Sequence, residues 1–209
     1  MPIFTRNDIV KIAKVMLCAG GAAPGHAEVV GNHLAEANLA GHDSHGFIRI
    51  PQYLDTIKAG LLNPKAKPEI VFDYAATAYV DGKTTFGQVV ATMATDLAIK
   101  KARTHGISIV SMGNHDHTGR IGTYPEMAVK EGMAAIMFGG GFRPERGHVA
   151  PFGGRTGVLG TNPISMGFPQ SEGPPILLDF ATSMAAEGKL RVYRNRGVSL
   201  PGEWLVDKH

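Results

Sequence analysis

The stretch Gln88–Val110 reads QVVATMATDLAIKKARTHGISIV, and the fold class turns on it. Residues 88–104 form an amphipathic helical stretch that ends at Gly106, and the apolar run Ile107–Val110 follows at once. Downstream, Tyr124–Glu131 reads as another helix and Met133–Phe138 as another apolar strand. Helix, strand, helix, strand, with short glycine-containing joints, predicts an α/β chain with a layered helix–sheet–helix core. Further on, Gly139–Pro175 reads as loops around short strands such as Ile164–Phe168. Ile176–Asp179 is expected as a last buried strand and Met184–Tyr193 as a last helix.

Towards the N-terminus the rhythm differs. Glu69–Tyr74 and Ala78–Asp81 read as a hairpin. Before it come three helices. The first starts at a Thr5/Asp8 capping box, carries Ile9, Ile12, Val15 and Met16 at helical spacing, and stops at Gly20-Gly21. The second follows Pro24, with Val29, Val30, Leu34, Ala37 and Leu39 on or near its apolar face. The third covers Arg49–Lys58 and is closed by Gly60.

Composition narrows the function classes. The 209 residues are 44% hydrophobic and 19% charged, a folded rather than a disordered balance. A net charge of +3 without any Lys/Arg run argues against nucleic acid as partner. The single Cys18 excludes an internal disulfide framework and is expected as a buried structural thiol. The first six residues lack a signal-peptide pattern, and the longest nearly uncharged run, Gly132–Gly141, is too short to span a bilayer, so a cytoplasmic protein is expected. The sole tryptophan, Trp204, lies near the end of the chain with little to pack against, which points to a C-terminally truncated sequence.

Two polar clusters could carry chemistry. In Gly41–Gly46 (GHDSHG), with Arg49 behind it, a histidine can exchange a proton and an arginine can hold a carboxylate. His45, Arg49 and Tyr53 would form one stripe on a helix, but Pro51 allows a helix that begins near Ile50 with His45 in the loop before it. The alternative is a solvated helix end. The second cluster, Asn114–Gly122 (NHDHTGRIG), follows a core strand, where backbone N–H groups entering a helix can hold a phosphate. It also admits a metal reading through His115 and His117, completed by His42, Asp43 or Asp116, and hence a metal-dependent hydrolase. Asp81–Thr84 imitates part of a P-loop but is expected to be a turn, and nothing matches Gly-x-Gly-x-x-Gly. Asp179 could cap the following helix or contact a ligand.

Taken in order, GHDSHG at 41–46, HTGRIG at 117–122, VAPFGG at 149–154, GTNP at 160–163 and LDFATS at 178–183 with Gly188-Lys189 resemble the type 2 malate/L-lactate dehydrogenases. That family includes ureidoglycolate, sulfolactate and hydroxycarboxylate dehydrogenases. The resemblance implies a non-Rossmann nicotinamide-binding domain over residues 76–209, incomplete at its C-terminus, and a helical, substrate-side segment over 1–75. It implies NAD or NADP as cofactor, a small 2-oxo or 2-hydroxy acid as substrate, and a homodimer. By the same resemblance His45 is the proton donor with Ser44 as relay, and His117 is a second acid/base candidate. Arg49, Thr161 and Tyr53 contact substrate. His117, Thr118, Gly119, Arg120, Ile121, Asp179, Phe180, Ala181 and Lys189 hold the cofactor. Members of the family are longer than this chain, so an inactive remnant is a further alternative.

Overall fold

A computed structural model describes residues 3–141, 147 and 149–205. The first helix, α1 (Arg6–Ala19), begins at the expected capping box, with the Thr5 side chain accepting from Asp8 N–H and the Asp8 carboxylate accepting from Thr5 N–H. It packs along α2 (Pro24–Leu39). A Cβ at Gly31 would lie 3.2 Å from the Val10 carbonyl oxygen, so the small residue lets the two helices close on each other. That closeness changes which residues of α1 are inside. Ala13 and Leu17 are buried, whereas Ile12 and Val15 of the expected stripe are exposed, as is Leu39 of α2. Cys18 is half-buried against this core.

After α2 two short 3-10 turns, Asp43–His45 and Phe47–Arg49, lead into α3 (Ile50–Lys58). The extended backbone at Gly46 (ψ −150°) separates the turns, so His45, Arg49 and Tyr53 do not share one helix. Pro51 sits in the first turn of α3, where its missing N–H costs nothing. Leu17, Val30, Leu34, Ile50, Tyr53, Leu62 and Phe86 make one buried cluster that joins the three helices to the segment at Phe86.

β1 (Glu69–Tyr74) and β2 (Thr77–Thr85) form the expected hairpin; the division expected after residue 75 falls in its turn. β2 runs on through Asp81–Thr84, so that segment is not a turn. Lys83 and Thr84 have φ +49° and +62°, and the pairing of β2 slips between Asp81 and Thr85, which makes it a bulge within the strand. α4 (Gly87–His105) then crosses over to β3 (Ile109–His115), which pairs parallel with β2. Gly106 ends α4 in the left-handed conformation, as the glycine predicts.

α5 (Thr123–Lys130) leads to a second antiparallel sheet of β4 (Ala135–Phe138), β5 (Ile164–Phe168) and β6 (Ile176–Phe180) in that order. β6 is a strand but not a buried one: Ile176, Leu178 and Phe180 are all exposed. The last helix, α6, covers Glu187–Arg196 rather than 184–193. Trp204 does find a partner, packing edge-on to Tyr193 of α6 with ring centroids 5.2 Å apart. The residues expected at the chain end, 206–209, lie outside those described.

Candidate active site

The GHDSHG segment is turned inward by Asn38. Its amide donates to Asp43 Oδ1 (2.8 Å) and accepts from Phe47 N–H (2.9 Å). Gly46 has no room for a Cβ, because that Asn38 side chain fills the space. The result is a buried Ser44 whose Oγ lies 2.9 Å from His45 Nδ1. The His45 ring stacks on His117, with centroids 5.5 Å apart and planes inclined by 21°, and His42 meets it edge-on.

His117 reaches this place because β3 is parallel to β2. Thr85 pairs with His115, and Asp116 N–H donates to the Thr85 carbonyl (2.9 Å), which carries the following residue over the start of α4. There Tyr53 OH lies 3.0 Å from His117 Nδ1, and Gln88 Nε2 donates to the same hydroxyl (2.6 Å). Tyr53 and Gln88 are wholly buried.

Arg49 is buried beside them. Its Nε donates to the Ser44 carbonyl (2.6 Å), and its NH1 donates to Gln52 Oε1 (2.6 Å) and to Glu187 Oε2 (3.2 Å). α6 seats on this arginine through Gly188, where a Cβ would meet the guanidinium and lie 2.8 Å from the Ser44 carbonyl oxygen. Burial pushes the Glu187 carboxyl up, but Arg191 and Arg49 outweigh it and hold it below its ordinary value. Arg49 thus already has a carboxylate on its guanidinium, the contact expected of a substrate clamp.

A second group lies behind the first. Arg120 faces Glu126 with both terminal nitrogens (3.2 and 3.3 Å) and Asp179 at 3.7 Å. Asp179 Oδ2 accepts from Gly122 N–H (2.9 Å), so it caps the start of α5 and not the helix that follows it in sequence. His33 Nε2 accepts from Arg120 N–H (2.9 Å) and its ring stacks on Tyr124, whose hydroxyl donates to the Thr118 carbonyl. Gly119 N–H donates to His117 Nδ1, Thr123 N–H to Arg120 and Tyr124 N–H to Ile121. The N–H groups of Gly119, Arg120, Gly122, Thr123 and Tyr124 are thus engaged within the protein, with the Asp179 carboxylate at the helix start. The outer edge of β6 is unpaired among the described residues, and Phe180 and Lys189 are exposed. Lys189 is near enough to depress both His42 and His45.

Of the other expected residues, Thr161 is held apart from these contacts, its carbonyl accepting from Thr182. His115 turns its Nδ1 to the Asp116 carbonyl, and no group of three or more His, Cys, Asp or Glu among the described residues is placed to hold a metal ion. No helix among them is long and apolar enough to cross a membrane. Two residues of the site escaped the sequence reading. His33 could have been found, because it lies on the same buried face of α2 as Val30, Leu34 and Ala37. Gln88, in the first turn of α4, had no local signal at all.

Burial, with Arg49, His42, His33 and Lys189 adding to it, pushes His45 down to about 3, and burial with Arg120 pushes His33 down to about 4. Both are neutral at physiological pH. The unfolded chain, with histidines at 6.5, binds more protons than the folded one between these values, so stability rises with pH across that window. It is complete above 6.5 and is lost as the pH falls. Thermal unfolding should show Tm falling between about pH 7 and about pH 5, with a shallower fall in His33→Gln. A Tm that holds level over that range would contradict the burial of the neutral rings.

The site can be set beside known proteins. The chain is 42% identical over 187 residues to hydroxycarboxylate dehydrogenase B of Escherichia coli O157:H7, covering 90% of this chain and 51% of that protein. It is 41% identical over 202 residues to the malate dehydrogenase of Pyrococcus abyssi, covering 97% and 54%. Among solved structures, malate dehydrogenase from Entamoeba histolytica superposes with a TM-score of 0.88 at 33% identity, over 96% of this chain and 55% of that one. The chain spans about half the length of these relatives. Residues 4–209 match the profile of the malate/L-lactate dehydrogenase family, and the chain belongs to that family.

Proposed function

We propose that this chain carries the proton-transfer and carboxylate-binding part of an NAD(P)-dependent dehydrogenase of small 2-hydroxy acids. The family supports an oxidoreductase acting on hydroxy acids. The observation that carries the finer reading is buried Ser44 paired with half-buried His45, whose ring stacks on His117. With Nδ1 engaged by Ser44, His45 Nε2 is the nitrogen that exchanges a proton with the substrate oxygen. A neutral imidazole is the form that accepts the hydroxyl proton during oxidation and returns it during reduction. Arg49 orients the substrate carboxylate on the guanidinium that now faces Glu187. Phe180, Ala181 and Lys189 would hold the cofactor, and a bound nicotinamide supplies the hydride acceptor or donor.

The test is titration of the purified, folded protein with NADH and NADPH, followed by nicotinamide fluorescence, and then a panel of 2-oxo acids. Saturable binding weakened by Lys189→Ala, with turnover of a 2-oxo acid, is expected. Failure of a folded protein to bind either nucleotide would overturn the reading.

A further inference from the structure

We propose that Tyr53 and Gln88 are positioning residues that lock His117 as the neutral tautomer protonated at Nε2, which leaves the proton exchange to His45. The division of labour rests on the dehydrogenase reading; the lock itself does not.

The argument starts from a group that cannot be turned round. Gly119 N–H is a backbone donor and points at His117 Nδ1 (3.3 Å), so this nitrogen carries the lone pair. Tyr53 OH lies 3.0 Å from the same nitrogen and must therefore give it its hydrogen. The Tyr53 oxygen is then an acceptor, and Gln88 Nε2 donates to it (2.6 Å). Each bond fixes the direction of the next. Flipping the Gln88 amide would set Tyr53's lone pair against that of Nδ1, and would exchange the unpaired buried Gln88 Oε1 for unpaired buried N–H groups. Tyr53 and Gln88 are fully buried, so no solvent relaxes the chain, and burial holds the Tyr53 hydroxyl protonated far above its ordinary range.

The consequence separates two stacked histidines. Charging His117 requires a hydrogen on Nδ1, directed at the Gly119 N–H and at a hydroxyl that already faces the Gln88 donors. In the locked form Nε2 bears a hydrogen, so it cannot accept the proton of a hydroxy acid. His45 is built the other way. Its Nδ1 faces the Ser44 hydroxyl, a rotor that donates to a bare nitrogen and accepts from a protonated one. The pair with the adaptable partner suits proton exchange, and the one with the fixed partner suits orientation.

Long-range 1H–15N correlation spectra of histidine-labelled protein near neutral pH read the tautomer directly, with the His117 signals identified by their loss in His117→Gln. Bare Nδ1 and protonated Nε2 are expected, with a share of the opposite tautomer rising in Tyr53→Phe. A wild-type His117 protonated at Nδ1, or a Tyr53→Phe spectrum identical to wild type, overturns the lock. In turnover, His45→Gln is expected to lower kcat at least about tenfold more than His117→Gln, a difference of about 1.4 kcal/mol. Equal losses would overturn the assignment. If wild type turns over no 2-oxo acid, the dehydrogenase reading fails, while the nitrogen signals still decide the lock.

Discussion

Replacing His45 with alanine is expected to lower kcat for 2-oxo acid reduction by about 10²- to 10⁴-fold, with cofactor affinity nearly unchanged. The range is that of a single positioned proton-transfer group. The imidazole is the one whose Nδ1 meets Ser44 and whose ring lies over His117, and its removal leaves Arg49 and its partners in place. His45 is half-buried, so a circular-dichroism melt run beside the kinetics separates a cost to the fold from a cost to the chemistry. Steady-state kinetics that show KM rising with kcat intact would assign His45 to binding and remove it from the chemistry.

The second large effect falls on stability. Gly87→Ala is expected to cost about 3 kcal/mol, a fall in Tm of about 10 °C for a domain of this size. A Cβ there would collide with the Asp116 carbonyl oxygen and lie 2.6 Å from the His117 carbonyl carbon and oxygen. Those neighbours are backbone, fixed by the Asp116–Thr85 hydrogen bond, and cannot swing aside. Gly25→Ala is the matched control. It also lies in the first turn of a helix, meets nothing within 4 Å, and should be neutral or stabilising by up to about 1 kcal/mol. Equal melting points for the two variants would refute the close approach of α4 to the 116–117 backbone. Gly87→Ala should also lower turnover in the fraction that folds, since the shift carries His117 away from Tyr53.

The elements written in local chemistry were legible. Thr5 and Asp8 announce α1, Gly106 ends α4, and Pro51 places the start of α3. The members of the site were legible as clusters, and the structure brings Ser44, His45, Arg49, Tyr53 and His117 into contact. What was not legible depends on partners remote in sequence. The Lys83–Thr84 bulge exists because β2 has to pair with β3 as well as β1, and no property of Asp81–Thr84 announces that second strand. The amides of 119, 120 and 122 look available until His117 of the same loop, His33 of α2 and Asp179 of β6 come to meet them. Ile176–Phe180 has the composition of a core strand, and composition does not say whether a second layer covers it.

The chain of contacts through the two histidines also says when the site can exist. Tyr53 and His117 are 64 residues apart, His33 and Arg120 are 87 apart, and Arg49 and Glu187 are 138 apart. Each pairing closes a long loop, and the entropy of closure has to be met before the contact returns anything. The imidazoles therefore stay hydrated and ordinary in basicity until segments from α2 to α6 have found one another. The shift of His45 to low basicity is therefore a marker of late folding, since it needs segments far apart in sequence to have met.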